Sequence, residues 1–280
     1  MIKKLREKIK QKSPLIHCIT NPISMNACAN TILALGARPI MAEHPLEVEE
    51  ITRTAGALLL NLGNISDIRM EAMKRAVQEA QNYKVPIILD AVGVACSKLR
   101  RTFAKDLLQT YALTVVKGNA SEILALNQQE YHAVGIDAEK TIKMERVAMA
   151  AISLAKAYHT IVLVSGKIDL ITDGERLVQM ENGSLQLTTV TGTGCMLGAV
   201  CACCLAVARE IEAPVTACAV MGICGELAET EKGSGSFMVN LLDALSTWKE
   251  ETVRQFLKKE VRNVEGYGFE TLCGHRQYGA

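Results

Sequence analysis

The chain has 280 residues, of which 49% are hydrophobic, and its 31 basic and 30 acidic residues leave a formal net charge of +1. This length and apolar content are enough for the core of one α/β domain spanning residues 1–280. The balanced charge argues against nucleic acid or an anionic membrane as partner, so a small-molecule partner is expected.

The N-terminal segment and the cysteines bear on localisation. Residues 1–8 mix charges with isolated apolar side chains and lack the apolar core of a signal peptide. The most apolar stretch, residues 196–208, is too short to span a bilayer. Three of the ten cysteines, Cys201, Cys203 and Cys204, lie in that stretch, where free cysteine behaves as a small hydrophobe. We therefore expect a reduced, cytoplasmic protein without a membrane span.

The predicted elements begin with a helix of small residues from Met25, ending before Gly36, and a short strand at 39–42. Near-continuous apolar runs then predict strands covered on both faces at 57–63, 85–90, 113–117 and 160–165. Intervening segments predict helices at 66–83, with Ser66 as N-cap, and at 97–110, 120–126 and 141–158. This alternation indicates a doubly wound α/β fold, with a mostly parallel central sheet and helices on both faces.

A different pattern follows Gly166. Two turns, Asp173-Gly174 and Asn182-Gly183, are flanked by strand-length runs within 169–180 and 182–188, which predicts a short antiparallel meander. From Gly194 onward the pattern predicts four helices, at 195–208, 214–229, 236–246 and 249–262.

Polar residues and glycines end the predicted parallel strands. Ligands of doubly wound sheets bind outside the carboxyl ends of the strands, so these residues mark the expected active site. They are Asn61, Gly63, Asp90, Lys117, Asn119, Ser165 and Gly166. Asp90, the helical Glu122 and Lys117 would suit Mg²⁺ and phosphate, although Asp90 alone is more typical of a loop end and Glu122 alone of a surface helix. No Gly-x-x-x-x-Gly-Lys-Ser/Thr sequence occurs, which excludes a P-loop enzyme.

The turn Thr191-Gly192-Thr193-Gly194-Cys195 precedes an apolar helix of small residues. Its two glycines allow a close backbone approach to a ligand, and the free N–H groups of the helix start form a site for phosphate or a developing oxyanion. A cysteine at a helix start also has its thiolate stabilised. Such turns cap many helices for structural reasons alone, so the neighbouring strand ends are needed to indicate catalysis.

Two residues near the N-terminus are ambiguous by themselves. Met41 could line an apolar pocket for a flat ring or simply fill the core. His17, taken alone, is typical of a buried structural histidine.

Several blocks, in this order, resemble the hydroxyethylthiazole kinase family of the ribokinase-like superfamily from Pro14 to about Val261. They are PLIHCITN at 14–21, LALGA at 33–37, PIMA at 39–42, LNLG at 60–63, GNASEI at 118–123, TGTGCML at 191–197 and GSGSF at 233–237. The resemblance implies transfer of the ATP γ-phosphate, with Mg²⁺, to the primary hydroxyl of 4-methyl-5-(2-hydroxyethyl)thiazole for thiamine salvage. It also implies a homotrimer with active sites shared between subunits.

The resemblance further implies roles for individual residues. The catalytic turn would comprise Gly192, Thr193, Gly194 and Cys195, with Cys195 as base or as the group that holds the hydroxyl in line while the helix start binds the anion. The thiazole would contact Met41, Gly192, Asn21 and Gly63. ATP would contact Lys117, Ser165 and Asn119, and Mg²⁺ would be held by Asp90 and Glu122 directly or through water.

Three positions depart from the family pattern: Ala91 replaces proline, Lys117 replaces arginine and Ser165 replaces threonine. Lysine keeps the charge but lacks bidentate phosphate geometry, so nucleotide affinity is the property most affected. Alternatives are a pyrimidine or pyridoxal kinase, which would carry aspartate at 195, and a weakly catalytic thiazole-binding or regulatory protein. A cysteine hydrolase with Cys195 as nucleophile and His17 as base is a further alternative.

Overall fold

A nine-stranded sheet forms the centre of the computed structural model, which describes residues 4–127, 144–208 and 210–264. Its strands are β1 (Leu15–Ile19), β2 (Arg38–Ile40), β3 (Ala57–Asn61), β4 (Ile87–Asp90), β5 (Val115–Asn119), β6 (Ile161–Ser165), β7 (Asp169–Thr172), β8 (Arg176–Met180) and β9 (Lys259–Asn263). Their spatial order is β2-β1-β3-β4-β5-β6-β7-β8-β9. Pairing is parallel from β2 to β6 and antiparallel from β6 to β9.

Helices cover both faces of this sheet. They are α1 (Leu5–Lys12), α2 (Met25–Leu35), α3 (Val48–Thr54), α4 (Asp67–Asn82), α5 (Lys98–Thr110), α6 (Ala120–Asn127), α7 (Met144–Tyr158), α8 (Thr193–Leu205), α9 (Glu212–Leu227), α10 (Ser234–Thr247) and α11 (Glu250–Phe256). None of the helices in the described ranges has the length and apolarity to cross a bilayer.

Strand alternation divides the core into two clusters. In β3, Leu59 packs with α2, α8 and α9 on one face, whereas Leu58 and Leu60 pack with α4 and other helices on the opposite face. Successive side chains of a strand point to opposite faces, so an all-apolar strand needs cover on both sides. The predicted three-layer α/β fold is therefore confirmed.

Local signals fixed several helix ends as predicted. The Ser66 hydroxyl accepts a hydrogen bond from the Arg69 N–H at 3.3 Å and caps α4. Gly36, at the end of α2, has φ +90°, a left-handed conformation that glycine adopts readily. Cys201, Cys203 and Cys204 of α8 are free and buried, although Cys201 and Cys204 have Cys-x-x-Cys spacing.

Two predictions for the C-terminal half are wrong. Residues 182–188 do not form a strand: Leu185–Thr189 is a 3₁₀ turn, capped by the Ser184 hydroxyl. The helix predicted at 249–262 ends at Phe256, and Lys259–Asn263 forms β9, which supplies β8 with its antiparallel partner. Backbone pairing with a strand distant in sequence thus overrides the local helical pattern.

Smaller differences occur near the N-terminus. The strand predicted at 39–42 is β2, which ends at Ile40 and leaves Met41 in the following loop. The sequence analysis did not identify β1, α1 or α3. The predicted start of the helix at 141–158 lies outside the described residues, and α7 is described from Met144.

Close packing of α9 gives a first prediction. A Cβ added at Gly222 would lie 2.5 Å from the Asn182 carbonyl oxygen. We expect Gly222→Ala to lower the free energy of unfolding by about 3 kcal/mol, since backbone must move. Gly235→Ala is the matched control, because nothing lies within 4 Å of its added Cβ. Chemical denaturation measures both; equal stabilities of the two variants would contradict the packing argument.

Candidate active site

The predicted site residues lie at the carboxyl edge of the parallel strands. In the sheet register, Asn61 is opposite Asp90, Asp90 is opposite Lys117, and Asn119 is opposite Ser165. Adjacent strands are about 4.8 Å apart, so each polar side chain can reach the next one along this edge. The edge faces the first turn of α8, where Gly194 and Cys195 lie.

A buried ion pair lies at the centre of this edge. The Lys117 Nζ is 3.0 Å from Asp90 Oδ1, and the side chains are only 4% and 1% exposed. Burial raises the pKa of Asp90, an effect partly offset by Lys117 and by a hydrogen bond from Asn61. Burial alone would lower the pKa of Lys117, but the Asp90 carboxylate outweighs it and raises that pKa. Lys117 is therefore a fixed, protonated cation.

Cys195 is connected to this ion pair through amide side chains. Its Sγ accepts hydrogen bonds from the Asn61 Nδ2 at 3.2 Å and the Asn21 Nδ2 at 3.6 Å. The Asn61 Nδ2 also donates to Asp90 Oδ2 at 3.1 Å. The half-buried thiol thus occupies a defined position beside the Asp90–Lys117 pair.

The glycine turn sets the start of α8. Gly192 has φ +88° and is its N-cap, and the helix starts at Thr193, two residues before the predicted start. The Thr193 hydroxyl donates to the Leu187 carbonyl oxygen at 2.8 Å. A Cβ at Gly194 would lie 3.9 Å from the Lys117 Nζ, so the ammonium is close to the first helical turn. Both the helix N-terminus and Lys117 attract an anion here.

Glu122 closes the other side of the edge. Its Oε1 accepts from the Gly93 N–H and its Oε2 from the Asn119 N–H, both at 2.7 Å. Burial raises the pKa of Glu122, and these two hydrogen bonds counteract part of the increase. Asn119 and Glu122 form a second hydrogen bond, in which the Asn119 Oδ1 accepts from the Glu122 N–H at 3.0 Å. Asn119 thereby caps the first turn of α6.

The Asp90 and Glu122 carboxylates fit a role in binding Mg²⁺. Both are desolvated, so a nearby cation would relieve the cost of their charge, and each oxygen keeps a lone pair beyond its present hydrogen bond. Within the described residues no three His, Cys, Asp or Glu side chains converge on one point. The fit is thus to an ion that takes its other ligands from phosphate and water, as Mg²⁺ usually does.

His17 supports the loop that carries Met41. The fully buried imidazole lies 2.8 Å from the Thr52 Oγ1 through Nδ1 and 2.9 Å from the Ala42 carbonyl oxygen through Nε2. Since a carbonyl only accepts, Nε2 carries the proton and Nδ1 accepts from Thr52. Burial lowers the pKa of His17, which favours this neutral form. Both nitrogens are occupied, which argues against His17 as a base for Cys195.

The other predicted residues occupy separate positions along the edge. Asn21 and Gly63 adjoin Asn61, whose Oδ1 accepts from the Asn21 Nδ2 at 3.0 Å and the Gly63 N–H at 2.9 Å.

Gly192 lies against Ser24 at the start of α2. Met41 is half-buried after β2 and packs on the same core cluster as Cys195. Ser165 ends β6 two strands from Asp90.

Asn61 was predicted at the active-site edge, without an assigned role. Asp169 was likewise not predicted as a site residue. Its Oδ1 accepts a hydrogen bond at 2.9 Å from the N–H of Gly166, the residue after Ser165. A polar residue that ends an otherwise apolar strand was the available signal for Asn61. Three of its hydrogen-bond partners are side chains far from it in sequence, and the fourth is a backbone N–H. Only the folded structure brings these four groups together.

Comparison with known proteins identifies the family. The model of the hydroxyethylthiazole kinase family matches residues 6–251. Hydroxyethylthiazole kinase 2 of Clostridium botulinum strain Hall is 42% identical over 255 residues, covering 89% of this chain and 96% of its own length. The chain belongs to the hydroxyethylthiazole kinase family. A further member, from Thermoanaerobacter sp. strain X514, is 39% identical and covers 93% of this chain and 100% of its own.

Solved structures agree with this membership. The hydroxyethylthiazole kinase protein of Pyrococcus horikoshii OT3 superposes with a TM-score of 0.85 at 34% identity, over 92% of this chain and 98% of its own. A pyridoxal kinase from Staphylococcus aureus has a TM-score of 0.61 at 17% identity, over 89% of this chain and 98% of its own. The second similarity shows the ribokinase-like fold alone, while the first is to a member of the same family.

The Asp169 carboxyl, close to Ser165, gives a prediction for how the stability of the protein depends on pH. Burial raises the pKa of Asp169 to about 6, so the folded state holds this proton more tightly than the unfolded chain. The resulting stabilisation is complete below about pH 4 and is lost as the pH rises through about 6. Relative to the parent, Asp169→Asn should therefore gain about 1–2 kcal/mol of unfolding free energy between pH 4 and 7, discounted for partial exposure.

Asp173→Asn in the same meander is the control for this measurement. Burial opposes the ionised form of Asp173, but hydrogen bonds from Arg176 prevail and lower its pKa. Its variant should show the opposite trend, losing stability relative to the parent as the pH rises. Urea denaturation across the pH range measures both; a pH-independent difference for Asp169→Asn would contradict the assigned shift.

Proposed function

We propose that this chain is a cytoplasmic enzyme that phosphorylates the primary hydroxyl of 4-methyl-5-(2-hydroxyethyl)thiazole with ATP, and so serves thiamine salvage. One observation carries the proposal: the Cys195 thiol lies in the first turn of α8, held by two amide side chains beside a buried Asp90–Lys117 pair. Family membership supports the substrate, since the relatives are named for this alcohol. The whole chain, residues 1–280, acts as one kinase domain in this proposal.

The reaction is an in-line phosphoryl transfer. The thiazole hydroxyl oxygen forms a bond to the γ-phosphorus, the bond from that phosphorus to the bridging oxygen breaks with its electron pair left on ADP, and the hydroxyl proton passes to water. Such transfers depend mainly on positioning and on neutralising charge. The N–H groups of Thr193, Gly194 and Cys195, after the N-cap Gly192, provide donors for the transferred group. Cys195 holds the hydroxyl in line, and any role as base is the smaller contribution.

The nucleotide occupies the adjacent strand ends. Lys117 supplies a fixed positive charge for the phosphates, Asn119 supplies a polar side chain at the end of the same strand, and Ser165 supplies one on the next strand. Asp90 and Glu122 would hold Mg²⁺, which would neutralise charge on the phosphates. Lys117 is a point charge held by Asp90 rather than a bidentate group, so phosphate orientation depends more on the α8 backbone than it would with arginine.

The acceptor pocket lies on the opposite side of Cys195. Met41 provides an apolar contact for the thiazole ring, while Asn21, Gly63 and the Gly192 backbone surround the hydroxyethyl arm. Apolar side chains in α2, just before it and in the loop after β2 are exposed, with Leu33 at 57%, Ile23 at 62% and Leu46 at 80%. Exposed apolar patches typically mark interfaces, which supports a homotrimer whose subunits share this pocket.

A kinase assay tests the proposed reaction. Incubation with ATP, Mg²⁺ and the thiazole alcohol should yield ADP and the thiazole phosphate, and removal of Mg²⁺ with EDTA should abolish it. Cys195→Ala should lower kcat by about 10- to 100-fold and leave KM for ATP within about threefold, because the thiol contacts the acceptor.

Cys96→Ser, which alters an exposed cysteine, is the control and should match the parent. Pyridoxal is the comparison substrate, because faster turnover of pyridoxal would favour the other superfamily activity. Absence of turnover with any ring alcohol would contradict the kinase proposal and favour a binding or regulatory protein.

Sedimentation at micromolar concentration tests the assembly. The parent should have three times the mass of one chain, and Leu33→Glu should shift it towards the monomer, because a charge replaces an exposed apolar contact. Leu99→Glu is the matched control, since Leu99 is similarly exposed at 55% on α5 of the opposite layer. A monomeric parent would contradict the proposed trimer.

A further inference from the structure

We propose that Asn61 is a positioning residue, which connects the Cys195 sulfur to the Asp90–Lys117 pair and holds that sulfur as a hydrogen-bond acceptor. The inference deepens the kinase proposal and rests on it for its kinetic consequence. The position of Asn61 between Cys195 and Asp90 follows from the hydrogen bonds of the structure. Asn61 is 1% exposed at the end of β3, one strand from Asp90.

The amide of Asn61 uses its whole hydrogen-bonding capacity. Its two N–H groups donate to Asp90 Oδ2 at 3.1 Å and to Cys195 Sγ at 3.2 Å. Its carbonyl oxygen accepts from the Gly63 N–H at 2.9 Å and from the Asn21 Nδ2 at 3.0 Å. A primary amide offers two donors and two lone pairs, so no capacity is left over.

These partners fix the orientation of the amide. Rotating it by half a turn would place the carbonyl oxygen against the Asp90 carboxylate and the NH₂ group against the Gly63 N–H. Both contacts would be repulsive in a buried environment, where unmatched polar groups are costly. The donor side of Asn61 is therefore turned towards Cys195 and Asp90.

The fixed orientation determines what Cys195 can do. Its Sγ receives N–H donors from Asn61 and, at 3.6 Å, from Asn21, so a thiol proton has to point away from both amides. That proton is then available to an acceptor alcohol, because Cys195 is only half-buried. In the thiolate form the same two donors stabilise the charge, and a third lone pair is free for the alcohol. Asn61 supports the alcohol contact in either form.

Asn61→Asp tests this role with little change in shape. The variant keeps an oxygen for Gly63 and Asn21 but presents oxygen, instead of N–H, to Cys195 and Asp90. We expect kcat to fall by about 100-fold or more, since Cys195 loses its Asn61 donor on the acceptor side. The rate of iodoacetamide alkylation at Cys195, measured on its peptide by mass spectrometry, should fall by about 10-fold.

Asn182→Asp is the matched control, because Asn182 is also a buried, multiply bonded amide but lies away from the strand edge. Its Nδ2 donates to the Phe256 carbonyl oxygen at 2.8 Å and to Glu226 Oε1 at 3.2 Å, and its Oδ1 accepts from the Lys258 N–H at 2.7 Å. Asn182→Asp should lose stability but retain kcat per folded molecule and the alkylation rate. Asn61→Ala provides a second test if the added charge prevents folding.

The two readouts separate failure of this inference from failure of the kinase proposal. If the parent turns over no alcohol, the proposed function fails, and alkylation alone decides the role of Asn61. A folded Asn61→Asp variant with the parent's kcat and alkylation rate would overturn the inference. Equal losses in Asn182→Asp would also overturn it, because a general structural effect would then account for both.

Discussion

The buried ion pair between Asp90 and Lys117 is the interaction on which the candidate site depends. An uncompensated charge at this depth would be strongly unfavourable, so each residue requires the other, and the register of β4 and β5 places them opposite one another. Helix α8 has to approach closely for this pair to be covered. Gly198 lies directly against the pair, since a Cβ there would be in ordinary van der Waals contact with Asp90 Oδ2, at 3.5 Å. The sheet edge and the α8 start are therefore parts of one arrangement.

Much of the fold could be predicted because its main signals are local. The continuous apolar runs of β3 to β6 indicate strands covered on both faces, and Ser66 marks a helix start by its own hydrogen bond. Strand β1 was missed because His17 interrupts its apolar pattern, and that residue is buried only because Thr52 and Ala42 satisfy it. Strand β9 was missed because its exposed polar residues gain strand structure only by pairing with β8.

The candidate site shows the same division. The polar ends of β4 and β5 and the glycine turn at 191–195 were visible in sequence, and the parallel topology explains why they meet. The Asn61–Cys195 contact joins residues separated by 134 positions, and no periodicity in the sequence encodes such a pair. The Gly93 and Asn119 N–H groups that bind Glu122 are equally invisible, since backbone donors carry no sequence signature. These contacts therefore become apparent only in the folded structure.

The burial of α8 beyond its first turn has a consequence for how the site responds to ligands. Every residue from Met196 to Leu205 is buried, so the helix has no solvent-facing stripe and is enclosed by the core. Amide protons in such a helix exchange only when the core opens, which makes its local stability close to that of the whole protein. The anion site at its first turn is thus attached to a rigid helix before any phosphate arrives. When ligands bind, the loss of conformational entropy therefore occurs mainly in the more exposed loops around the acceptor, including the loop that carries Met41.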